Sequence, residues 1–260
     1  MKVLISPDAQ AKINIYVNEC PKEISGLGIV EERKDGTFYI SEIFLLEQEV
    51  SGVETDIEAS AIAKLIAEIG VDKAQKLRFW WHSHVNMGVF WSTTDHSCVE
   101  QLVSNATSPI ISIVYNKKGE SLCRVDGWWC RKRITEDKVY HEVDWPQYND
   151  VVKGWAMDNA KEDVEVNGLA PDEAALNAIE YFEAHSYNLA PLEEFYKKQC
   201  LLEMASKVKE KQIITYTYAT PQTKGKKHGK RSKVPTTVVN HQQPSFEEYE
   251  DLPYWSRWDR

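Results

Sequence analysis

The sequence predicts an α/β fold, a mixed β-sheet flanked by helices with further helices and an extended tail at the C-terminal end. Three observations lead there. Short β-branched and aromatic runs are interspersed with helix-period segments over residues 1–140. Lys34-Asp35-Gly36 sits between two such runs as a hairpin turn. Beyond Tyr140 the β-rich runs give way to helix-like stretches.

Taken in order, KVLI reads as a strand, and PDAQAKINIYVNEC as a helix with Pro7 and Asp8 at favoured starting positions. EISGLGIVEERKDGTFYISEIFLLEQE follows as two strands, with Glu23 at the start of the first. ETDIEASAIAKLIAEIG has apolar residues at helical spacing, a Thr55 or Asp56 cap and Gly70 as its stop.

KLRFWWHSH is β-like, and strand alternation places Trp80, His82 and His84 on one face and Phe79, Trp81 and Ser83 on the other. After a loop containing Gly88, Ser92, Thr93 and Thr94 form a capping cluster that puts Asp95 in the first turn of a third helix. PIISIVYN and SLCRVDGWWCRKRI supply further strands.

Helices are expected at PDEAALNAIEYFEAH and APLEEFYKKQCLLEMASKVKEKQ, each with a proline near its start, as a helical appendage over 141–214. Residues 215–260 run from basic KGKKHGKRSK to acidic, aromatic SFEEYEDLPYWSRWDR without sustained periodicity, and read as an extended tail. The basic run either meets phosphates or is solvated and paired with acidic segments. The aromatic end, with Phe246, Tyr249, Tyr254, Trp255 and Trp258, either docks on a protein partner or packs on its own domain.

An apolar content of 42% with 27% charged residues is that of a globular protein in water. A net charge of -9 argues against a chain that is basic overall and wraps nucleic acid. No run approaches the roughly 20 apolar residues of a membrane span, and MKVLISPDAQ lacks the form of a secretory signal. The five cysteines contain no C-x-x-C pair, so reduced thiols in a cytoplasmic setting are expected rather than a disulfide framework or a cysteine zinc ribbon.

The chemistry concentrates in WHSHVNMGVFWSTTD. Catalytic zinc usually takes three nitrogen or oxygen ligands and leaves a further position for water. His82 and His84 project the same way from one strand, and Asp95 can fold back across the loop to join them. Hydrolysis needs a base as well, and Glu23 is the leading carboxylate. Each residue also has a plain structural role open to it: half-buried strand histidines, a serine cap, an aspartate opposing the helix dipole, and a strand-start glutamate. His96 and Cys98 are expected to be bystanders, because the helix turns them away.

H-S-H, seven residues, then S-T-T-D, preceded upstream by E-I-S-G-L-G, resembles the JAB/JAMM (MPN-plus) zinc metalloproteases. The resemblance covers residues 1–140. N-M-G-V-F-W-S-T-T-D is especially similar to bacterial and phage JAB-domain proteins, some of which accompany tail-assembly genes. It implies a JAB/MPN-type sheet, zinc (Zn2+) on His82, His84 and Asp95, Glu23 as general base and acid, and Ser92 helping to stabilise an oxyanion. The implied reaction is peptide or isopeptide hydrolysis on a protein or peptide substrate. No long insertion separates Asp95 from Pro109 to cradle ubiquitin. The competing expectation is an assembly protein, incorporated in a virion if phage-encoded, that uses the same fold and the C-terminal tail for docking.

Overall fold

The computed structural model describes residues 1–52, 54–104, 106–129 and 132–211. The tail over 215–260, with its basic and aromatic runs, lies outside the described residues.

Eight strands form the main sheet: β1 (Lys2–Ile5), β2 (Ser25–Glu32), β3 (Phe38–Leu45), β6 (Leu77–Ser83), β7 (Ile110–Tyr115), β8 (Ser121–Trp129), β9 (Lys132–Glu136) and β10 (Tyr140–Val143). Between β3 and β6 lie β4 (Gln48–Val50) and β5 (Thr55–Ile57), and β11 (Val208–Glu210) closes the described chain. The helices are α1 (Pro7–Glu19), α2 (Ala59–Ile69), α3 (Val71–Ala74), α4 (Thr93–Ser104), α5 (Trp145–Glu165), α6 (Pro171–His185) and α7 (Ala190–Lys207).

The main sheet runs β10-β1-β3-β2-β6-β7-β8-β9, and a small sheet runs β11-β4-β5. In the main sheet β1 is parallel to both its neighbours and β6 is parallel to β7, while its other pairs are antiparallel; in the small sheet β11 is parallel to β4. This is the mixed α/β sheet expected. It is strongly curled: the Val139 N–H donates to the Cys123 carbonyl at 2.9 Å, and Ser121 Oγ meets His141 Nε2 at 2.8 Å. Segments near opposite ends of the strand order therefore touch.

Local signals explain most element starts. Ser6 Oγ accepts the Ala9 N–H ahead of Pro7, which starts α1. Gly36 takes φ 81°, and Asp35 Oδ1 accepts the Thr37 N–H at 3.0 Å, which turns β2 into β3. The proposed cap at Thr55 or Asp56 needs correcting. Both residues belong to β5, Thr55 Oγ1 donates to Gln48 Oε1 at 2.8 Å, and α2 begins at Ala59. Pairing with β4 has overridden the local capping signal.

Two apolar layers sandwich the centre of the sheet. Phe79 and Trp81 join α1 residues such as Ile13 and Tyr16 in the larger core, while Trp80 and Leu27 pack with α2 and α4 through Leu65 and Val99. Strand alternation in FWW thus feeds both faces.

The glycines of SGLG answer to this packing. Gly26 lies opposite Trp81 and Gly28 opposite Phe79. A Cβ on Gly26 would fall 2.7 Å from the Trp81 ring, and one on Gly28 would fall 2.8 Å from Phe79. The aromatics of β6 cross β2 where it has no side chains.

Met1–Glu210 form one compact unit. Within it β10 pairs with β1, and α7 packs against α1, where Tyr16 Oη donates to Glu203 at 2.6 Å. Tyr148 and Val152 of α5 join Ala11 and Leu192 in a third apolar cluster. Among the described residues no helix is long and apolar enough to cross a membrane.

Candidate metal centre

β6 ends at Ser83 in the middle of the sheet, where its end and the residue after it deliver His82 and His84 into the same space. His82 is buried, and its ring stacks on Trp80 at a 4.4 Å centroid distance. No hydrogen-bond partner meets His82 Nδ1, so on that side of the ring aromatic packing takes the place of a polar contact. His84 lies one residue past the strand. Its N–H donates to the Tyr115 carbonyl at 2.8 Å, and its Nδ1 lies 3.1 Å from the Gly88 carbonyl.

A carbonyl can only accept, so Nδ1 carries the hydrogen and, in the neutral ring, Nε2 presents a lone pair. The chain turns sharply after His84, with Val85 at φ 49°, an uncommon conformation for a β-branched residue. Asn116 Nδ2 donates to the Met87 carbonyl at 2.8 Å and secures that turn.

Asp95 arrives from the start of α4. Its Oδ2 accepts the Ser92 N–H at 2.7 Å, while its own N–H donates to Ser92 Oγ at 3.1 Å. This reciprocal pair is a capping box with aspartate in the third helical position. Capping and ligand placement are one geometry here, because the cap immobilises the carboxylate.

The three side chains converge. His82 Nε2 is 3.2 Å from His84 Nε2 and 3.3 Å from Asp95 Oδ1, and His84 Nε2 is 3.6 Å from Asp95 Oδ2. All three residues are buried, and their ligand atoms lie within 4.8 Å of one another. Two imidazole nitrogens and a carboxylate facing one point form a donor set that suits a borderline divalent cation. A buried group of this kind could hold a metal ion.

Electrostatics follow from the crowding. Burial opposes charge on Asp95, but hydrogen bonds with His82 and His84 prevail and hold its carboxyl well below the usual range. Burial pushes His82 down. On His84 burial is outweighed by the Asp95 hydrogen bond, the Gly88 carbonyl and the Glu23 charge, so its pKa is raised.

Glu23 sits in the same field. Burial, opposed by His84 and assisted by the negative charges of Asp95 and Glu54, raises its carboxyl from 4.5 to about 7. It lies two residues before β2 rather than on the strand, and its N–H donates to the Ser51 carbonyl at 3.0 Å. No model of a known protein family matches the chain, and no curated protein matches it.

Two residues to which the sequence reading gave no role fix this segment. Ser83, between the histidines, accepts the Ile24 N–H at Oγ (3.1 Å) and donates its own N–H to the Ile24 carbonyl (2.8 Å). Gln48 Oε1 accepts the Ser25 N–H at 3.0 Å, and its Nε2 donates to the Ser25 and Leu46 carbonyls at 2.8 and 3.1 Å. Gln48 thereby bonds Ser25 much as a neighbouring strand would. A buried glutamine in the polar run EQEVSG has no periodic signature, whereas the serine inside H-S-H could have been suspected from its inward-facing strand position.

Cys98 is half-buried in α4, and His96 Nδ1 lies 3.0 Å from Arg124 Nη1. Neither belongs to the converging set.

Proposed function

We propose that the chain is a zinc-dependent hydrolase of the JAB/JAMM type that cleaves a peptide or isopeptide bond. The observation that carries this reading is the convergence of His82, His84 and Asp95 beside a buried glutamate whose carboxyl is poised near neutrality. His82 and His84 would hold the ion through Nε2 and Asp95 through its carboxylate. The bound ion supplies Lewis acidity, polarising a carbonyl oxygen and acidifying water near neutral pH.

The chain's own residues supply the proton handling. With a pKa of about 7, the Glu23 carboxylate takes a proton from water and, as the acid, returns it to the departing amine. Its burial restrains competing contact with bulk solvent. Ser92 Oγ accepts the Asp95 N–H and keeps its own hydrogen for donation to a developing oxyanion. Trp80 and Trp91 flank His82 with apolar surface, which excludes water from that side of the ligand.

Purified protein, wild type and Glu23→Gln, would be assayed for bound zinc and for hydrolysis of a fluorogenic peptide mixture and an isopeptide-linked conjugate. The expected result is one zinc per chain in both proteins and hydrolysis by the wild type alone. Retained hydrolysis in Glu23→Gln removes the base assignment, and a wild type that takes up no zinc removes the metal assignment.

A further inference from the structure

Arg124 is buried in β8 at 3% exposure, beside Asp126 at 0%. Its Nε and Nη2 donate to the two Asp126 carboxylate oxygens at 2.6 and 2.8 Å, and Thr135 Oγ1 donates to Asp126 Oδ1 at 2.9 Å. Nη2 also lies 3.9 Å from the exposed Asp137 carboxylate. This two-point pairing fixes the plane of the guanidinium, so its remaining edge and its face have set directions.

The edge points at His96. Arg124 Nη1 lies 3.0 Å from His96 Nδ1, and because arginine has no acceptor, Nδ1 must accept, with the imidazole hydrogen on Nε2. The face lies over Trp91, its central carbon 5.0 Å from the ring centroid, and Trp91 in turn packs 5.9 Å from the His82 ring. Trp91 and His96 are the residues immediately before and after Ser92–Asp95, and the His96 N–H donates to the Ser92 carbonyl at 3.0 Å.

A buried ion pair is a weak source of stability, since an apolar replacement of similar volume is often as stable or more so. What this pair supplies is direction. We infer that Arg124 is a positioning residue that holds both ends of the Ser92–Asp95 turn, and with it the carboxylate facing the two histidines. Asp126 orients Arg124, and Arg124 orients the turn through Trp91 and His96. The effect on a metal ion rests on the proposed function above, whereas the clamp itself does not.

The test compares full-length wild type with Arg124→Lys, which keeps the charge but loses the planar fork, and with His96→Ala, which alters an exposed side chain. Amide hydrogen exchange of peptides covering residues 88–97 is read in the metal-free proteins, and zinc affinity is read by chelator competition. Arg124→Lys should speed exchange in that segment while the sheet peptides keep their protection, and should weaken zinc binding about 10- to 100-fold. His96→Ala should move both readouts the same way by less.

Unchanged exchange at 88–97 in the folded variants overturns the clamp, whatever zinc does. If Arg124→Lys does not fold, His96→Ala alone decides by the same criterion. A wild type that binds no zinc while the variants speed exchange refutes the metal reading and supports the clamp.

Discussion

Ser83 Oγ accepts the Ile24 N–H at 3.1 Å, so the residue between the two histidines holds the residue next to Glu23. The Ser83 N–H completes the pair by donating to the Ile24 carbonyl at 2.8 Å. Glu23 and the two histidines come from segments nearly sixty residues apart, and this exchange sets their separation.

Ser83→Ala leaves the buried Ile24 N–H without its acceptor, a loss of about 1–3 kcal/mol. The expected outcome is a lower denaturant midpoint, zinc binding retained, and a fall in kcat that exceeds any change in KM. Equal kcat in a folded variant would detach Ser83 from the placement of Glu23.

Glu23 makes stability fall as pH rises. Its folded pKa of about 7 lies above the ordinary 4.5, so between those values the folded chain binds more protons than the unfolded chain. Glu23→Gln removes that dependence. In metal-free protein the variant should be more stable than wild type at pH 8, by up to about 3 kcal/mol, with the advantage shrinking towards pH 4.5. Thermal melts across that range check it, and parallel curves for the two proteins would place Glu23 in a more solvated setting than its burial indicates.

Gly26→Ala tests the packing that brings β2 under β6. The added methyl would meet the Trp81 ring at 2.7 Å and also the Phe44 carbonyl oxygen, which belongs to a paired strand and cannot retreat alone. Destabilisation of about 1–3 kcal/mol or more is expected. The same substitution at Gly36 meets no neighbour but is strained by φ 81°. A Gly26→Ala protein as stable as wild type would show that β2 and β6 can separate at little cost.

Much of this arrangement was legible in the sequence because it rests on period and punctuation. Strand alternation in FWWHSH assigns the faces, Asp35-Gly36 marks the hairpin, and S-T-T-D marks both a helix start and a carboxylate near the histidines. The illegible parts depend on partners distant in the chain. Among the described residues the longest helix, α5, was missed because Gly154 and scattered Asn and Asp obscure its Tyr148, Val152, Ala156 stripe, and the apolar partners of Tyr148 and Val152 come from α1, α6 and α7. Thr55 and Asp56 carry cap chemistry but are taken into β5 by pairing with β4. Arg124 and Asp126 did leave a trace, two charges at strand spacing inside an apolar run, and the same alternation that identified the histidines would have placed them side by side.

Asp95 serves two purposes that a single atom change separates. Asp95→Asn keeps an oxygen able to accept the Ser92 N–H, so the α4 cap survives, but it removes the charge that faces His82 and His84. If Asp95 is a ligand, zinc affinity should fall by more than about 100-fold. The stabilisation that zinc would give the wild type, about 4 kcal/mol at 1,000 times its Kd, should then fall to about 1.4 kcal/mol or less at the same zinc concentration. Thermal melts with and without zinc measure both effects, and the metal-free variant serves as the control for the cap. An Asp95→Asn protein whose melting temperature still rises with zinc as the wild type's does would move the third ligand to another residue. Glu23 would then be the first to examine, since it is the other buried carboxylate that feels His84.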